Sequence, residues 1–179
     1  MRQPVFFFRS WAYGFYMPCD PITREEAKEI FYRAKIGEGF VIVVDDPEKP
    51  TAFLDYIVDA NAKKGYKIDY LDGQLRTWLG YSFRQIRDER LFLDGSGEVT
   101  YSGDNKEADE SVGEMYDEDG LIRFSRKRRG EDFQDTWKDR LTTLEYHYEP
   151  LPVFGEYDSI LRVERDLPWQ DQEPWAGSK

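Results

Sequence analysis

The pattern of apolar and polar positions predicts helices packed on a sheet in the first third of this chain. Residues 4–10 have the composition of a strand. Thr23 and Glu26 then form a capping box, and the apolar residues after it recur at helical spacing, which predicts a helix over residues 23–36. The unbroken Phe, Val and Ile run of residues 40–44 predicts a strand buried on both faces, near the middle of a sheet.

A second helix is predicted over residues 51–64, with Thr51 as its cap and Gly65 after its last turn. Its apolar residues share one side: Phe53, Leu54, Ile57 and Val58. Residues 66–70 alternate between apolar and charged side chains, as in a half-exposed strand. The first 70 residues therefore follow a β-α-β-α-β order, which is typical of helices covering a sheet.

The second half of the chain is predicted to be mostly antiparallel. The expected elements are a short helix around residues 75–79, strands over 81–86, 90–93, 98–101 and 121–126, a helix over 133–142 and a last strand over 160–164. Asp94 and the Gly-Ser-Gly sequence after it are expected to form a turn. The predicted fold class is α+β: one domain over residues 1–176 with a mixed sheet. Residues 177–179 have the composition of a cloning remnant and are set aside.

An acidic segment interrupts the second half. Residues 104–119 contain eight acidic residues and one Lys, a net charge of −7. Such a segment has too few apolar side chains to order itself by burial, so residues 103–119 are predicted to be a mobile surface loop. The five basic residues between Arg123 and Arg129 follow directly, and we expect them to match the acidic segment electrostatically.

Composition narrows the classes of function. The chain has one His, one Cys, five Trp, 12 Tyr, 12 Phe and a net charge of −11. The negative charge opposes direct binding to nucleic acid backbones. No apolar run approaches the roughly 20 residues that cross a bilayer, so no membrane partner is expected. One Cys excludes an internal disulfide framework and fits a reducing compartment, so we expect a cytoplasmic protein.

Two pairs of residues carry the catalytic alternatives. Asp45 and Asp46 follow a buried strand, and in open α/β sheets ligands bind at the carboxyl ends of strands, where two carboxylates suit Mg²⁺. The same residues are also ordinary turn formers. His147 and Cys19 are the only possible Cys–His pair, but a surface His among tyrosines is the favoured interpretation. No cofactor or metal is expected.

The sequence therefore predicts an acidic binding module that inhibits or neutralises a partner protein. Bacterial immunity proteins and phage anti-defence proteins have this profile, a likeness of class and not of sequence. The expected partner is a basic protein, such as a toxin or another enzyme. The alternatives are a carboxylate-dependent metal enzyme with its site at Asp45 and Asp46, and a structural or assembly subunit.

Charge and aromatic content select the residues for this role. The residues expected to bind the partner are Asp109, Glu110, Glu114, Asp117, Glu118, Tyr146, Tyr148 and Glu149. Aromatic residues near the two ends are further possible contacts, since Trp and Tyr are enriched in binding hot spots. They are Trp11, Tyr13, Phe15, Tyr16, Trp169 and Trp175.

Overall fold

The computed structural model describes residues 5–12, 17–87, 89–138 and 144–165, and all of its strands belong to one antiparallel sheet. The elements are β1 (Val5–Ala12), β2 (Met17–Ile22), α1 (Arg24–Arg33), β3 (Gly39–Asp46), β4 (Lys49–Val58), β5 (Lys64–Leu71), β6 (Thr77–Arg87), β7 (Arg90–Thr100), β8 (Glu110–Tyr116), β9 (Ile122–Arg128), β10 (Gln134–Lys138), a 3₁₀ turn (Glu145–His147) and β11 (Tyr148–Pro150). The strand order is β10-β9-β8-β7-β6-β5-β4-β3-β1-β2, with β11 beside β7.

The α+β fold class is wrong, because residues 51–58 belong to strand β4 and not to a second helix. Ala52, Leu54 and Tyr56 lie on one face of the sheet, and Phe53 lies on the other. When both faces of a strand are buried, apolar residues follow one another directly and the period of two is hidden. A short apolar run of this kind fits a helix and a strand equally well.

Helix α1 is confirmed, together with its capping box. The Glu26 amide donates to the Thr23 hydroxyl at 3.2 Å, and the Thr23 amide donates to the Glu26 carboxylate at 2.8 Å. These two bonds satisfy donors that the first turn of a helix leaves open. The pKa of Glu26 is lowered because its carboxylate accepts hydrogen bonds from the Thr23 amide and from the Thr23 hydroxyl. The helix ends at Ala34, which takes a left-handed conformation, two residues before the predicted end at residue 36.

Strand β3 lies inside the sheet, between β1 and β4, as predicted. Its residues 40–44 are all buried. Phe40, Ile42 and Val44 face the main core, which we call the covered face. Val41 and Val43 face a smaller cluster with Phe8, Trp11, Phe53 and Leu71, and we call this side the second face.

The middle of the chain forms longer strands than predicted. No helix forms around residues 75–79: Leu75 lies in a turn with a φ of +63°, and Trp78 and Leu79 belong to β6. The expected turn after Asp94 is part of β7, which pairs with both β6 and β8. Gly95 permits this close pairing, since a Cβ there would lie 2.7 Å from the Ser82 hydroxyl oxygen.

Three further predictions from the second half are wrong. The acidic segment contains strand β8 at residues 110–116, so it is not a loop throughout. Residues 134–138 form strand β10 beside β9, where a helix was expected. Residues 160–164 form no strand. Instead the amides of Ile160 and Leu161 both donate to the Tyr157 carbonyl, which closes a tight turn.

Helix α1 and residues 144–165, which we call the C-terminal segment, cover the main core. The Phe154 ring stacks on Phe7 at 5.6 Å and meets Phe31 of α1 edge to face at 5.6 Å. Tyr157 and Ile160 are buried in the same cluster. Burial of such large aromatic side chains is the main stabilising term that attaches the C-terminal segment to the sheet.

Candidate binding groove

A groove of about 690 Å³ lies on the second face, across β4, β5 and β6. Strand register positions its side chains in two rows. In the first row Asp55 pairs with Lys67, which in turn pairs with Ser82. In the second row Ile57 of β4 lies opposite Gly65 of β5. The groove is lined by Arg9, Trp11, Gly39, Asp55, Ile57, Asp59, Lys64, Gly65, Lys67, Ser82, Arg84 and Asp94, among others.

Two glycines leave Ile57 standing alone in the groove. Gly39 pairs with Ile57 on one side and Gly65 on the other. A Cβ on Gly39 would lie only 2.1 Å from the Tyr56 carbonyl oxygen, so glycine is required there. A Cβ on Gly65 would contact the Ile57 side chain at an ordinary 3.5 Å. Because neither neighbour has a side chain, Ile57 is 52% exposed.

Ion pairs fix the polar wall of the groove. Ser82 donates a hydrogen bond to Asp94 at 2.7 Å. Arg84 reaches the carboxylate of Asp94 at 3.4 Å and that of Glu118 at 2.9 Å. The ammonium of Lys67 lies 2.8 Å from the carboxylate of Asp69. These contacts limit the side-chain motion that a partner would otherwise have to arrest on binding.

An aromatic pair lies beside these charges. The Trp11 indole stacks on the Phe53 ring at 4.3 Å with an angle of 11° between the planes. Trp11 is 6% exposed and lines the groove. Of the aromatic residues singled out near the two ends, it alone lies within the described residues.

The acidic residues expected to bind a partner are largely paired within the protein. Glu110 forms ion pairs with Arg126 and Arg128, the second at 2.8 Å. Asp109 lies 3.2 Å from Arg129. The expected electrostatic match between the acidic segment and the basic run is therefore confirmed for these residues. It arises because β8 and β9 are neighbouring strands whose register sets Glu110 opposite Arg128.

The other expected acidic contacts lie in three different settings. Glu118 pairs with Arg84 at the groove. Glu114 accepts a hydrogen bond from the Tyr116 hydroxyl and another from Ser96 at 3.2 Å. Asp117 is exposed in the turn between β8 and β9, where its carbonyl accepts from the Gly120 amide at 2.9 Å. The five acids do not form one continuous unpaired surface.

Glu149 is buried, and its carboxylate is held by two arginines of the C-terminal segment. Arg165 lies 2.8 Å from Glu149, and Arg162 contacts the same oxygen. The Arg165 guanidinium also lies over the rings of Tyr81 and Phe83, at 4.9 and 4.8 Å. Burial lowers the pKa of Arg165, and the hydrogen bond to Glu149 opposes that change. Glu149 is therefore left out of the proposed binding surface.

The two tyrosines expected to bind a partner differ in exposure. Tyr146 is 50% exposed. Tyr148 is half-buried, with its ring 5.5 Å from Phe92 and 4.4 Å from the Arg90 guanidinium. Tyr146 is thus open to a partner, whereas one face of Tyr148 is already used within the protein.

His147 is fully buried, contrary to the surface position favoured by the sequence. Its ring stacks on Phe92 at 5.6 Å and meets Tyr116 at 4.7 Å. Burial lowers the pKa of His147 to about 4, and a hydrogen bond with the Leu144 backbone acts in the opposite direction. His147 directly precedes β11, which pairs with β7. Cys19 lies on β2, and six strand spacings separate β2 from β7, which is roughly 30 Å along the sheet. The two residues therefore do not form a Cys–His pair.

Asp45 and Asp46 are the last two residues of β3, directly before the turn that leads into β4, so they do not form the turn themselves as expected. Asp45 accepts a hydrogen bond from the Thr51 hydroxyl, and Asp46 accepts one from the Glu48 amide at 2.9 Å. Strands β3 and β4 are antiparallel. The rule that ligands bind at the carboxyl ends of strands holds for open α/β sheets and therefore does not apply here. Over the described ranges, no group of three or more His, Cys, Asp or Glu side chains is arranged to hold a metal ion.

The groove was missed because it depends on the pairing of β3, β4 and β5. The nearest signal in the sequence was the pair of isolated glycines at 39 and 65 on either side of the apolar run 52–58.

No helix in the described part of the chain is long and apolar enough to cross a membrane. No protein-family model, curated protein or solved structure matches this chain.

Proposed function

We propose that this protein is a binding module that inhibits or neutralises a basic partner protein by docking it in the groove around Ile57. The observation that carries the proposal is the exposure of an Ile side chain between two glycines, with charged side chains on the adjoining row. Specific protein interfaces share this anatomy of an apolar centre and a polar rim.

The chemistry of the groove favours a protein over a small molecule as the partner. An Ile that stands clear of its neighbours offers a contact for an apolar side chain of the partner. The charged residues around it have both signs: Arg9, Asp55, Asp59, Lys64, Lys67, Arg84 and Asp94. A mixed set of fixed charges selects one partner and one orientation, because a wrong partner would bring like charges together.

The net charge supports a basic partner. A charge of −11 creates a negative field at distances where internal ion pairs no longer matter individually. This field accelerates encounter with a basic protein, and the groove then holds the complex. In this proposal the acids on β8 and β9 contribute to attraction at a distance rather than to direct contact. A cytoplasmic location belongs to the proposal, since the single thiol of Cys19 would stay reduced there.

Quantitative affinity capture tests the proposal. The full chain, its Ile57→Arg variant and a Val153→Arg control would be immobilised at equal density and exposed to extract of the source organism. Val153 is a matched control, because it is 57% exposed and lies in the C-terminal segment, outside the groove. We expect the wild type and Val153→Arg to retain a basic protein in similar amounts. Ile57→Arg should retain at least tenfold less of it.

The captured protein would then be purified and its activity measured with and without this chain. Inhibition by the wild type and not by Ile57→Arg supports the proposal. Retention by Ile57→Arg equal to that of the control, or an acidic partner, contradicts it. Association should also slow as salt rises from about 50 to 500 mM, where the Debye length falls from roughly 14 to 4 Å.

A further inference from the structure

A row of glycines crosses the second face beside the groove. Residues that pair directly across antiparallel strands share a face of the sheet. The row begins at Asp69 of β5, which pairs with Phe53 of the second-face cluster, so the whole row lies on the second face. Its members come one from each strand between β5 and β9, and they are Asp69, Gly80, Gly97, Gly113 and Ser125.

The row forms a slot with a bare floor and a polar side chain at each end. A Cβ on Gly80 would lie 3.3 Å from Oδ1 of Asp69, and one on Gly113 would lie 2.8 Å from the Ser125 hydroxyl oxygen. Between them, a Cβ on Gly97 would meet only backbone atoms of the described residues, the nearest at 3.4 Å. We call the space above these glycines the glycine slot. It extends over two strand spacings, which is about 10 Å.

Asp69 brings an open carboxylate oxygen to the glycine slot. Its side chain is only 6% exposed, and the Lys67 ammonium lies 2.8 Å from Oδ2. Oδ1, the oxygen beside Gly80, has no hydrogen-bond or ion-pair partner among the residues that the structure describes. An ionised carboxylate accepts hydrogen bonds at both oxygens, so Oδ1 can take a donor that enters the slot from outside.

The rest of the slot suits a flat cation. The Ser125 hydroxyl donates to the Gly113 carbonyl at 3.3 Å, so its oxygen contributes lone pairs at the far end and no positive charge. A guanidinium is planar, is less strongly hydrated than an ammonium, and presents several N–H donors in a rigid fork. The aliphatic part of an arginine side chain also lies readily along an uncharged surface.

We propose that the glycine slot binds the guanidinium group of an arginine side chain of the basic partner. The guanidinium donates to Oδ1 of Asp69, and its flat face lies on the backbone of Gly80 and Gly97. The assignment of this arginine to the partner rests on the proposed function, whereas the preference for a guanidinium rests on the slot alone.

The glycine slot and the groove fit within one interface. Asp69 lies four residues along β5 from Gly65, which pairs with Ile57, so about 13 Å separate the two contacts. A standard interface buries about 800 Å² on each partner, which is enough to cover both. Lys67 lies between them, paired with Asp69 and opposite Asp55 on β4, so acidic groups offset its charge.

Two small probes test the slot without the partner. N-acetyl-arginine methylamide carries the guanidinium, and its citrulline analogue has a similar shape without the charge. Both would be titrated into the full chain while backbone amide chemical shifts are recorded. We expect saturable shifts at Gly80, Gly97 and Gly113 with the arginine probe. The citrulline probe should bind about tenfold more weakly, because hydrogen bonds between charged groups are stronger than neutral ones.

Three variants locate the binding. Gly97→Ala places a methyl group where the guanidinium lies, and it should weaken the arginine probe about tenfold through this steric overlap. Gly73→Ala is the matched control, because a Cβ there meets nothing within 4 Å and Gly73 lies in the turn between β5 and β6. Asp69→Asn keeps the shape of the side chain but not its charge, so it should bind the two probes equally. Thermal melting establishes that each variant is folded.

The outcomes separate clearly. Preference for the arginine probe in the wild type and in Gly73→Ala, lost in Asp69→Asn, supports the proposal when Gly97→Ala also weakens binding. No saturable shift at millimolar probe overturns it and indicates that a water molecule satisfies Oδ1. Equal affinity of the wild type for the two probes, or unchanged binding by Gly97→Ala, overturns it as well.

The probe test and the capture test of the groove can fail separately, because neither probe contains any part of the partner. Once a partner has been captured, Gly97→Ala and Gly73→Ala would be immobilised in the same way. Weaker retention by Gly97→Ala alone supports the assignment of the arginine to that partner. Equal retention by the two variants overturns this assignment.

Discussion

Arg165 and Glu149 form an ion pair inside the protein, with side chains only 1% and 7% exposed and a nitrogen–oxygen distance of 2.8 Å. Arg165 also donates to the Ile160 carbonyl at 2.8 Å. The pair thus joins β11, the last strand of the sheet, to the end of the C-terminal segment. A buried charge needs such a partner, because neither ion is stable alone in an apolar environment.

Removing one charge of this pair should therefore destabilise the protein strongly. We expect Glu149→Gln to lower the free energy of unfolding by about 3 kcal/mol, since Arg165 stays buried without a carboxylate. Urea denaturation measures the change. Glu131→Gln is the control, because Glu131 is exposed, and it should change stability by less than about 0.5 kcal/mol. Equal midpoints for the two variants would show that the buried pair is dispensable.

A charge at the centre of β3 should unfold the protein, whereas one on the neighbouring strand should not. Val43 is fully buried, so Val43→Asp places an unpaired carboxylate in the second-face cluster, with an expected loss above about 4 kcal/mol. Ile57→Asp introduces the same group at a half-exposed position of β4. Circular dichroism melting compares them. A wild-type melting temperature for Val43→Asp would refute the buried position of β3.

The two glycines of the groove should respond differently to alanine. Gly39→Ala forces its Cβ against the Tyr56 carbonyl, and we expect a loss of about 1–3 kcal/mol. Gly65→Ala meets only an ordinary contact with Ile57, so its stability should stay within about 0.5 kcal/mol of the wild type. Denaturant unfolding of the pair checks the register of β3, β4 and β5. Equal losses of stability for the two variants would contradict this register of β3, β4 and β5.

His147 should make stability fall in mild acid. Its folded pKa of about 4 lies below the unfolded value near 6.5, so the unfolded chain takes up the proton first. The contribution of neutral, buried His147 to the free energy of unfolding is fully present above pH 6.5. As pH falls towards 4 this contribution is lost, and the free energy of unfolding decreases by about 3 kcal/mol in total. Unfolding free energies at several pH values measure it. His147→Phe cannot titrate and should show a flatter profile between pH 6.5 and 4, and parallel profiles would contradict the assignment.

Local signals made part of the fold predictable. The Thr23 capping box and the apolar run of β3 each lie within a few consecutive residues, and both were identified correctly. Residues 51–58 were assigned to a helix because burial on both faces removes the alternation that marks a strand. Only their pairing with β3 and β5, which involves residues up to about 18 positions away, decides the matter.

The candidate site was less accessible to sequence reasoning, because its geometry is set by strand register. Ile57 is exposed since two other strands place glycines beside it. Glu110 was expected to meet a partner, yet register sets it opposite Arg128. The basic run after the acidic segment gave a usable signal for this pairing. No signal in the sequence indicated that Glu149 is buried, because its partner Arg165 is 16 residues further along the chain.

The prolines of β2 affect how the folded protein behaves at high concentration. Strand β2 is the outermost described strand at one end of the sheet, and it contains Pro18 and Pro21. Proline carries no N–H, and Asp20 between the two prolines has a left-handed φ of +56° that interrupts the regular strand. An incoming strand would find no N–H there. This end of the sheet therefore resists the edge-to-edge growth that begins fibril formation.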